Sequence, residues 1–372
     1  MDRLAVGILC HPTLGGSGVV ASELARELDR RGHRVHLFAP ATPPRLAADP
    51  GGVHLELCAG APYPLFAEPP HDLAAASRLL ELERSLGLDV LHAHYALPHA
   101  VTALVAAAAT ADAGRRLPVV TTLHGTDITI VGTDPTYLHL TRFALSRSDA
   151  VTCVSRSLAD ATRDRLVDDA ELHVIPNFVD APLAPRGTPE AEPPLAVHAS
   201  NLRPVKRTPA LVRAFTTATA PGSGAEDARL RIVGDGPDAD ALRRLGRELG
   251  LGPRLELVPA ASHVDDHLAE ASLYVQASRE EAFGLSALEA MAAGLPVLST
   301  AVGGAPEVVE DGVTGRLVEL DDETGFASSL RELLVDQALR VGMGARGRER
   351  AVRLFGREAI VDRYEALYRT VL

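Results

Sequence analysis

Residues 4–31 read LAVGILCHPTLGGSGVVASELARELDRR, and their pattern indicates the fold class. The apolar run 4–10 predicts a buried strand, because parallel strands covered on both faces are hydrophobic along their whole length. The glycine-rich segment 15–18 predicts a tight turn. Residues 19–31 repeat apolar side chains at the spacing of an amphipathic helix. Strand, turn and helix together form one βα unit.

The same alternation of strand-like and helix-like segments continues along all 372 residues. It predicts the α/β class with parallel sheets, and the length fits two domains. Residues 181–194 read APLAPRGTPEAEPP, and these five prolines indicate a linker. We therefore predict two doubly wound, Rossmann-like domains that face a central cleft, with ligands at the carboxyl ends of the strands.

The boundaries of these elements follow from the same pattern. The predicted strands are 4–10, 35–38, 53–57, 90–94, 119–123 and 151–154, then 195–199, 230–233, 255–258, 273–276 and 296–299. Residues 1–176 form the predicted N-terminal domain and 177–350 the C-terminal domain. A long helical pattern starts near residue 346, and we expect its part 351–372 to pack back on the N-terminal domain as a C-terminal helix.

Composition excludes several classes of protein. The net charge of -12 argues against a nucleic-acid partner, which needs a basic footprint. The three cysteines are widely spaced, which disfavours a zinc site or a disulfide framework and fits a reducing cytoplasm. No apolar segment is long enough and free enough of charge to predict a membrane span or a signal peptide.

Three motifs of the first half are candidates for chemistry. Gly15-Gly16-Ser17-Gly18 could let an anionic ligand approach a helix N-terminus, or could simply be a tight turn. The histidine-rich segment 92–99 suggests metal at first sight, but no carboxylate or cysteine lies nearby in sequence, so Tyr95 is the better candidate for ligand contact. His124, at a predicted strand end before Gly125, could reach a ligand or be a core histidine.

Three motifs of the second half complete the set. The segment 200–207, SNLRPVKR, places three cations after a strand, where they would suit a diphosphate, although at least one could be a solvated charge. Glu281 precedes a helix predicted to start near Phe283, and Glu289 follows eight residues later. These carboxylates could accept hydrogen bonds from sugar and ribose hydroxyls, act as a hydrolase pair, or lie on a solvated helix face. The turn 303–307 could be purely structural.

Taken together, these residues resemble the GT-B glycosyltransferases of family 4, which share the spacing E-x-F-G-x-x-x-x-E found at 281–289 and G-G-x-P-E found at 303–307. Longer strings are similar to the N-acetyl-α-D-glucosaminyl L-malate synthase family of bacillithiol biosynthesis. These strings are HYALPHA at 94–100, TTLHGTDIT at 121–129, NFVD at 177–180 and SNLRPVKR at 200–207. Leu202 stands where that family is expected to have Phe.

The resemblance implies a retaining hexosyltransferase that moves GlcNAc from UDP-GlcNAc to the hydroxyl of L-malate, with no cofactor and no metal. It implies a same-face displacement in which the leaving β-phosphate takes the acceptor proton. Position by position, the implied catalytic residues are His124, Lys206 and Glu281. The implied donor-binding residues are Gly16, Asn201, Arg203, Lys206, Gly234, Glu281, Phe283, Gly284, Leu285 and Glu289, and the acceptor-binding residues are Ser17, Tyr95, Thr126 and Arg142.

Other functions stay open at this point. A related transferase could use a different acceptor, such as an inositol phosphate. A UDP-GlcNAc epimerase or phosphorylase could share the fold, and so could a non-catalytic sugar-nucleotide scaffold. A dehydrogenase is disfavoured because the G-x-G-x-x-G fingerprint is absent. We further expect a cytoplasmic homo-oligomer with small-molecule substrates and no nucleic-acid or membrane partner.

Overall fold

The computed structural model describes residues 3–13, 15–62, 69–112, 114–132, 134–167, 171–180, 186–260 and 264–372. The chain divides into two compact units. The first comprises Met1–Asn177 and Glu358–Leu372, and the second comprises Phe178–Arg357. Each unit holds one parallel sheet with helices, so the predicted α/β class with two Rossmann-like domains is confirmed.

Seven parallel strands form the sheet of the first unit, in the order β3-β2-β1-β4-β5-β6-β7. Its strands are β1 Ala5–Leu9, β2 Arg34–Ala39, β3 His54–Leu57, β4 Val90–His94, β5 Val119–Leu123, β6 Ala150–Cys153 and β7 Leu172–Val174. Its helices before the second unit are α1 Ser17–Arg30, α2 Pro44–Ala48, α3 His71–Leu86, α4 Val101–Asp112, α5 Leu138–Arg147 and α6 Arg156–Arg165.

The strand order reverses between β1 and β4, which pair directly with Val6 opposite Val90. In open parallel sheets the crevice at such a reversal is where ligands bind. The loops that follow β1 and β4 start at this edge, and β5 lies next to β4 with His94 opposite Thr122. The glycine turn, the segment after His94 and the segment after Leu123 therefore leave the sheet from three neighbouring strand ends.

Six parallel strands form the sheet of the second unit, in the order β10-β9-β8-β11-β12-β13. Its strands are β8 Leu195–Ala199, β9 Arg229–Val233, β10 Leu255–Val258, β11 Leu273–Gln276, β12 Val297–Thr300 and β13 Gly315–Val318. Its helices are α7 Thr208–Ala218, α8 Ala239–Glu248, α9 Val264–Glu270, α10 Leu285–Ala292, α11 Ala305–Val308, α12 Glu323–Val335 and α13 Gln337–Phe355. Here the reversal lies between β8 and β11, so the loops after these strands carry the second set of candidate residues.

The C-terminal helix α14, Arg357–Val371, is part of the first unit except for its first residue. Its buried Glu365 contacts the ring of His33 at 2.6 Å, and His33 accepts a hydrogen bond from the backbone N–H of Leu4 at 3.0 Å. Its Tyr368 hydroxyl contacts Nδ1 of His92 at 2.8 Å. These buried polar contacts bind the end of the chain to strands at its beginning.

Apart from shifts of one residue at several strand ends, three elements of the fold differ from the sequence prediction. The helical pattern predicted from residue 346 is two helices, α13 and α14, because Gly356 takes an extended conformation between them. Strand β7 was not predicted, since it is only three residues long and contains a histidine. Strand β13 was missed because it begins with glycine and carries an arginine.

The proline-rich segment contains no helix or strand in its described part, 186–194, and is held from the second unit's α13. Fully buried Arg340 donates from Nε to the carbonyl of Pro189 at 2.7 Å and from Nη2 to that of Ala191 at 3.3 Å. It also pairs with the carboxylate of Glu192. The same guanidinium bonds the last carbonyls of α12, so one cation fixes both segments.

Two further observations concern the chain as a whole. Cys10, Cys58 and Cys153 are buried free thiols, and burial raises their pKa values to about 12, 11 and 12. Among the helices of the described residues, none combines the length and the hydrophobicity that crossing a membrane requires.

Candidate active site

The glycine turn after β1 exposes the N-terminus of α1. Gly16 is exposed and takes φ 61°, a conformation that favours glycine, immediately before the helix. A Cβ at Gly18 would lie 2.6 Å from both the carbonyl oxygen of His11 and Oγ1 of Thr13, so the turn packs tightly on the loop before it. No acidic residue occupies the first turn of α1, and Ser17 there is buried. Such an end favours an anionic ligand.

The segment after β4 is strained at Tyr95. This residue has φ 95° and ψ 137°, which is unusual for any residue other than glycine. Its backbone N–H donates to the carbonyl of Thr122 at 2.9 Å, and its hydroxyl contacts Oγ1 of Thr126 at 2.8 Å. Non-glycine strain of this kind concentrates at functional sites. The structure thus brings together two of the four residues predicted to bind the acceptor, Tyr95 and Thr126.

The segment after β5 is organised by Asp127, a residue that the sequence analysis did not single out. Its buried carboxylate accepts hydrogen bonds from the backbone N–H of Gly125 at 2.8 Å and of His124 at 3.1 Å. It also accepts one from Ala96, in the neighbouring loop after β4, at 3.5 Å. Desolvation raises the pKa of Asp127 to about 6. One carboxylate therefore fixes two loops at the sheet edge.

Histidines line the same edge and are held in the neutral form. His92, on β4, has both ring nitrogens bonded, Nδ1 to Tyr368 and Nε2 to Thr122 Oγ1 at 2.7 Å. Burial lowers the pKa of His92, His99 and His124 to about 3. Within the described residues, no three His, Cys, Asp or Glu side chains are placed to hold a metal ion.

His124 is half-buried and stacks on two aromatic rings. Its ring lies 5.5 Å from that of Tyr95 and 5.1 Å from that of buried His94, centroid to centroid. Nε2 of His124 contacts Nδ1 of His94 at 2.9 Å. The predicted catalytic histidine therefore lies beside the predicted acceptor residue Tyr95.

The other two predicted acceptor residues, Ser17 and Arg142, do not share the hydrogen bond that joins Tyr95 to Thr126. Arg142 is exposed on α5, and its Nη2 donates to the carbonyl of Arg165, at the end of α6, at 3.3 Å. Within the described chain, neither Ser17 nor Arg142 has a hydrogen bond to Tyr95 or Thr126. Arg142 could therefore bind an acceptor carboxylate only through guanidinium N–H groups other than the one that bonds to Arg165.

In the second unit, the loop after β8 and the loop after β11 meet through an ion pair. Lys206 ends a short 3₁₀ turn, and its Nζ lies 2.8 Å from Oε2 of Glu281. The backbone N–H of Arg279 donates to the carbonyl of Val205 at 2.8 Å, which ties the two loops together. Ser278 Oγ lies 3.4 Å from the same Glu281 oxygen. Two predicted catalytic residues, 75 positions apart, are thus in contact.

The predicted helix after Glu281 begins at Leu285, two residues later than expected. Gly284 precedes it in a left-handed conformation with φ 102°. Glu289 therefore lies just over one turn into α10 rather than one and a half turns. Phe283 is buried against Phe355, with ring centroids 5.6 Å apart, and so anchors the loop rather than offering a free face.

Close backbone packing explains the glycines around this site. A Cβ at Gly303 would lie 2.0 Å from the carbonyl oxygen of Glu281, and the N–H of Gly304 donates to that oxygen at 2.8 Å. A Cβ at Gly234, after β9, would lie 1.8 Å from the carbonyl oxygen of Ser200. The G-G-x-P-E turn thus supports Glu281, and Gly234 lets the loop that carries Asn201 settle on the sheet.

The three cations of segment 200–207 have different environments. Arg203 is exposed, as is Asn201. Arg207 is half-buried, and its Nη1 donates to the carbonyl of Leu320 at 2.6 Å, so it is a structural cation. Lys206 is distinctive in a way that the sequence analysis missed: it is the single lysine among the 37 basic residues of the chain.

Comparison with known proteins agrees with these two units. The model of Glycosyltransferase Family 4 matches residues 14–182, and that of Glycosyl transferases group 1 matches residues 184–350. An N-acetyl-α-D-glucosaminyl L-malate synthase from Bacillus anthracis is 39% identical over 380 residues, which cover 100% of this chain and 98% of the relative. The chain belongs to glycosyltransferase family 4. The resemblance to the malate synthases stated above is confirmed.

More distant relatives of this family 4 glycosyltransferase include an enzyme with a different name and two proteins of known structure. A D-inositol 3-phosphate glycosyltransferase from Catenulispora acidiphila is 30% identical and covers 96% of this chain and 91% of its own length. The solved structure of sucrose-phosphate synthase from Thermosynechococcus elongatus matches with TM-score 0.82 at 22% identity, covering 99% of both chains. Anabaena HepE in complex with UDP-glucose matches with TM-score 0.81 at 20% identity, covering 99% of this chain and 100% of that one. The GT-B fold is thereby shown.

Proposed function

We propose that this glycosyltransferase transfers GlcNAc from UDP-GlcNAc to the hydroxyl of L-malate and releases UDP. The observation that carries the proposal is the 39% identity to the Bacillus anthracis malate synthase along the whole of this chain. Inositol phosphate is the second candidate acceptor, favoured by the 30% identity to the Catenulispora enzyme. The lower identity makes it the weaker candidate.

We assign the donor to the loops after β8 and β11. Lys206 and exposed Arg203 supply positive charge for the diphosphate, Glu281 accepts from the sugar hydroxyls, and Glu289 accepts from the ribose. The ion pair of Lys206 with Glu281 holds both side chains in defined positions before the donor arrives. We also assign Gly16, at the open end of α1, to the diphosphate, since a helix N-terminus favours phosphate.

We assign the acceptor to the edge of the first unit. The Tyr95 and Thr126 hydroxyls lie 2.8 Å apart, so one O–H of the pair is used between them and the other can donate to a malate carboxylate. Ser17 and Arg142 complete the assigned set, and Arg142 keeps guanidinium donors beyond the one that it gives to Arg165. A dianionic acceptor needs such convergent donors, because an unpaired charge is costly to desolvate.

The proposed reaction is a same-face displacement with retention and without a metal. The bond from the anomeric carbon to the diphosphate oxygen breaks, and the malate hydroxyl oxygen bonds to that carbon from the same side. The hydroxyl proton passes to the leaving phosphate oxygen. Catalysis then depends on positioning and on electrostatic stabilisation of the leaving group.

Release of UDP from UDP-GlcNAc, measured with L-malate, D-malate, an inositol phosphate or no acceptor, tests the proposal. We expect release only with L-malate, an α-configured product, and activity that survives EDTA. Release with inositol phosphate alone would favour the second candidate. Release without any acceptor would contradict transfer and indicate hydrolysis or epimerase-type chemistry.

A further inference from the structure

The contact between His94 and His124 is the one side-chain hydrogen bond that a described residue makes to the ring of His124. His94 is the last residue of β4, and His124 follows the last residue of the adjacent β5. Their facing nitrogens, His94 Nδ1 and His124 Nε2, are 2.9 Å apart. The backbone of His124 is itself fixed by Asp127. The backbone positions of both histidines are therefore fixed, by the two strands and by Asp127.

Both rings are neutral at physiological pH. Burial lowers the pKa of His124 to about 3 and that of His94 well below its ordinary value. A neutral imidazole carries one N–H and one lone pair. Of the two facing nitrogens, one must therefore donate and the other accept, and each choice dictates where the second ring keeps its proton.

The surroundings of His94 decide which nitrogen donates. Its other nitrogen, Nε2, is buried and has no hydrogen-bond partner among the residues that the structure describes. A proton there would be an orphaned buried N–H, which is rarer in proteins than an unused acceptor. The proton of His94 is therefore on Nδ1, from which it donates to Nε2 of His124.

We propose that His94 is a positioning residue that fixes the tautomer of His124, so that His124 keeps its proton on Nδ1. That nitrogen has no partner among the described residues, and the His124 side chain is half-buried, so it offers a neutral N–H to an oxygen of the bound sugar. Neutrality matters, because an imidazolium would repel the positive charge that develops on the sugar ring. The assignment of the sugar as the partner of the His124 N–H rests on the function proposed above.

The tautomer can be measured directly, without substrate. Long-range ¹H–¹⁵N correlation spectra of ¹⁵N-histidine-labelled protein distinguish the two neutral forms, and the H124Q variant identifies the His124 signals. We expect a protonated Nδ1 on His124 at pH 7. A protonated Nε2 or an imidazolium on His124 would overturn the proposal. A failed malate assay would leave this result standing, so the two proposals fail separately.

Kinetics of His94 variants give the functional readout. H94N keeps an amide donor near the position of the imidazole Nδ1, whereas H94L has none. Loss of the partner that orients a metal-bound histidine typically costs about 10–100-fold. By analogy, we expect kcat of H94L to fall by about that factor, with KM for malate changed less than threefold. H94N should recover most of the loss.

A matched control separates positioning from packing. H36L also removes a buried histidine from the same sheet, on strand β2, whose Nε2 has no hydrogen-bond partner in the described part of the chain. We expect H36L to leave the His124 signals and kcat near wild type. Equal losses in H94N and H94L, or unchanged kcat in H94L, would contradict the positioning role.

Discussion

Replacing Lys206 by alanine should lower kcat about 10²–10³-fold. In the proposed reaction its ammonium faces charge that grows on the leaving diphosphate, and removal of one preorganised donor of this kind costs about 2.7–4 kcal/mol. Lys206 is not among the residues assigned to malate, so KM for malate should change less than threefold. The variant therefore separates stabilisation of the leaving group from binding of the acceptor.

The same substitution should change stability far less than activity. The side chains of Lys206 and Glu281 are 21% and 13% exposed, so the Nζ–Oε2 contact of 2.8 Å is partly screened by solvent. Glu281 also keeps its neighbour Ser278. We expect a loss of about 1 kcal/mol in the free energy of unfolding, at the upper end for exposed ion pairs. Denaturant titration measures it.

Lys206→Arg is the sharper variant. The other 36 of the 37 basic residues are arginine, so the chain accepts a guanidinium elsewhere and retains an ammonium here. A compact point charge and a planar fork are not equivalent at a tight site. We expect K206R to lose about tenfold in kcat, whereas R213A, which removes an exposed charge on α7, should stay near wild type.

UDP release at saturating UDP-GlcNAc and L-malate is the assay for all three variants. When product release limits kcat, it can hide a loss in the faster chemical step, so single-turnover measurements accompany the steady-state values. If K206A keeps kcat within threefold of wild type in both measurements, the proposed role of Lys206 is wrong.

Two other perturbations test the framework of the sites. Gly303→Ala puts a Cβ 2.0 Å from the Glu281 carbonyl oxygen at φ 54°, so we expect destabilisation of about 2–4 kcal/mol, seen as a lower Tm, and loss of activity; an unchanged Tm would contradict the close approach. The pKa of Asp127 is raised from 3.8 to about 6, so between these values the native state binds a proton that the unfolded state does not. As the pH falls from 7 to below 4, the free energy of unfolding of the wild type should therefore increase by up to about 3 kcal/mol relative to that of D127N. Denaturant titrations across that range that show no relative change would refute the raised pKa.

Much of the fold could be predicted because strand hydrophobicity is a local signal. The segment 90–94 was predicted to the residue, as was 119–123, since both strands are buried at every position. Strand β13 was not predicted, because it begins with Gly315, which strand propensity disfavours. A Cβ at this position would lie 2.0 Å from the carbonyl oxygen of Val297, so the packing of the two strands requires glycine there. Tertiary packing overrode composition at that strand.

The candidate site was predictable in its parts and not in its contacts. Spacing along the chain placed Lys206 and Glu281 after strands, but only the fold shows that they touch. Asp127 was not predicted as a site residue, because its role is to accept hydrogen bonds from backbone N–H groups of two loops. Sequence patterns report side chains that face ligands more readily than side chains that hold the backbone.

The single lysine, Lys206, makes the protein simple to label beside its ion-pair partner Glu281. A reagent that modifies amines meets only two in this sequence, the α-amino group and the Lys206 ammonium. Reductive ¹³C-methylation would then place a single magnetic reporter beside Glu281, and its resonance would follow donor binding in a molecule with no other lysine signal.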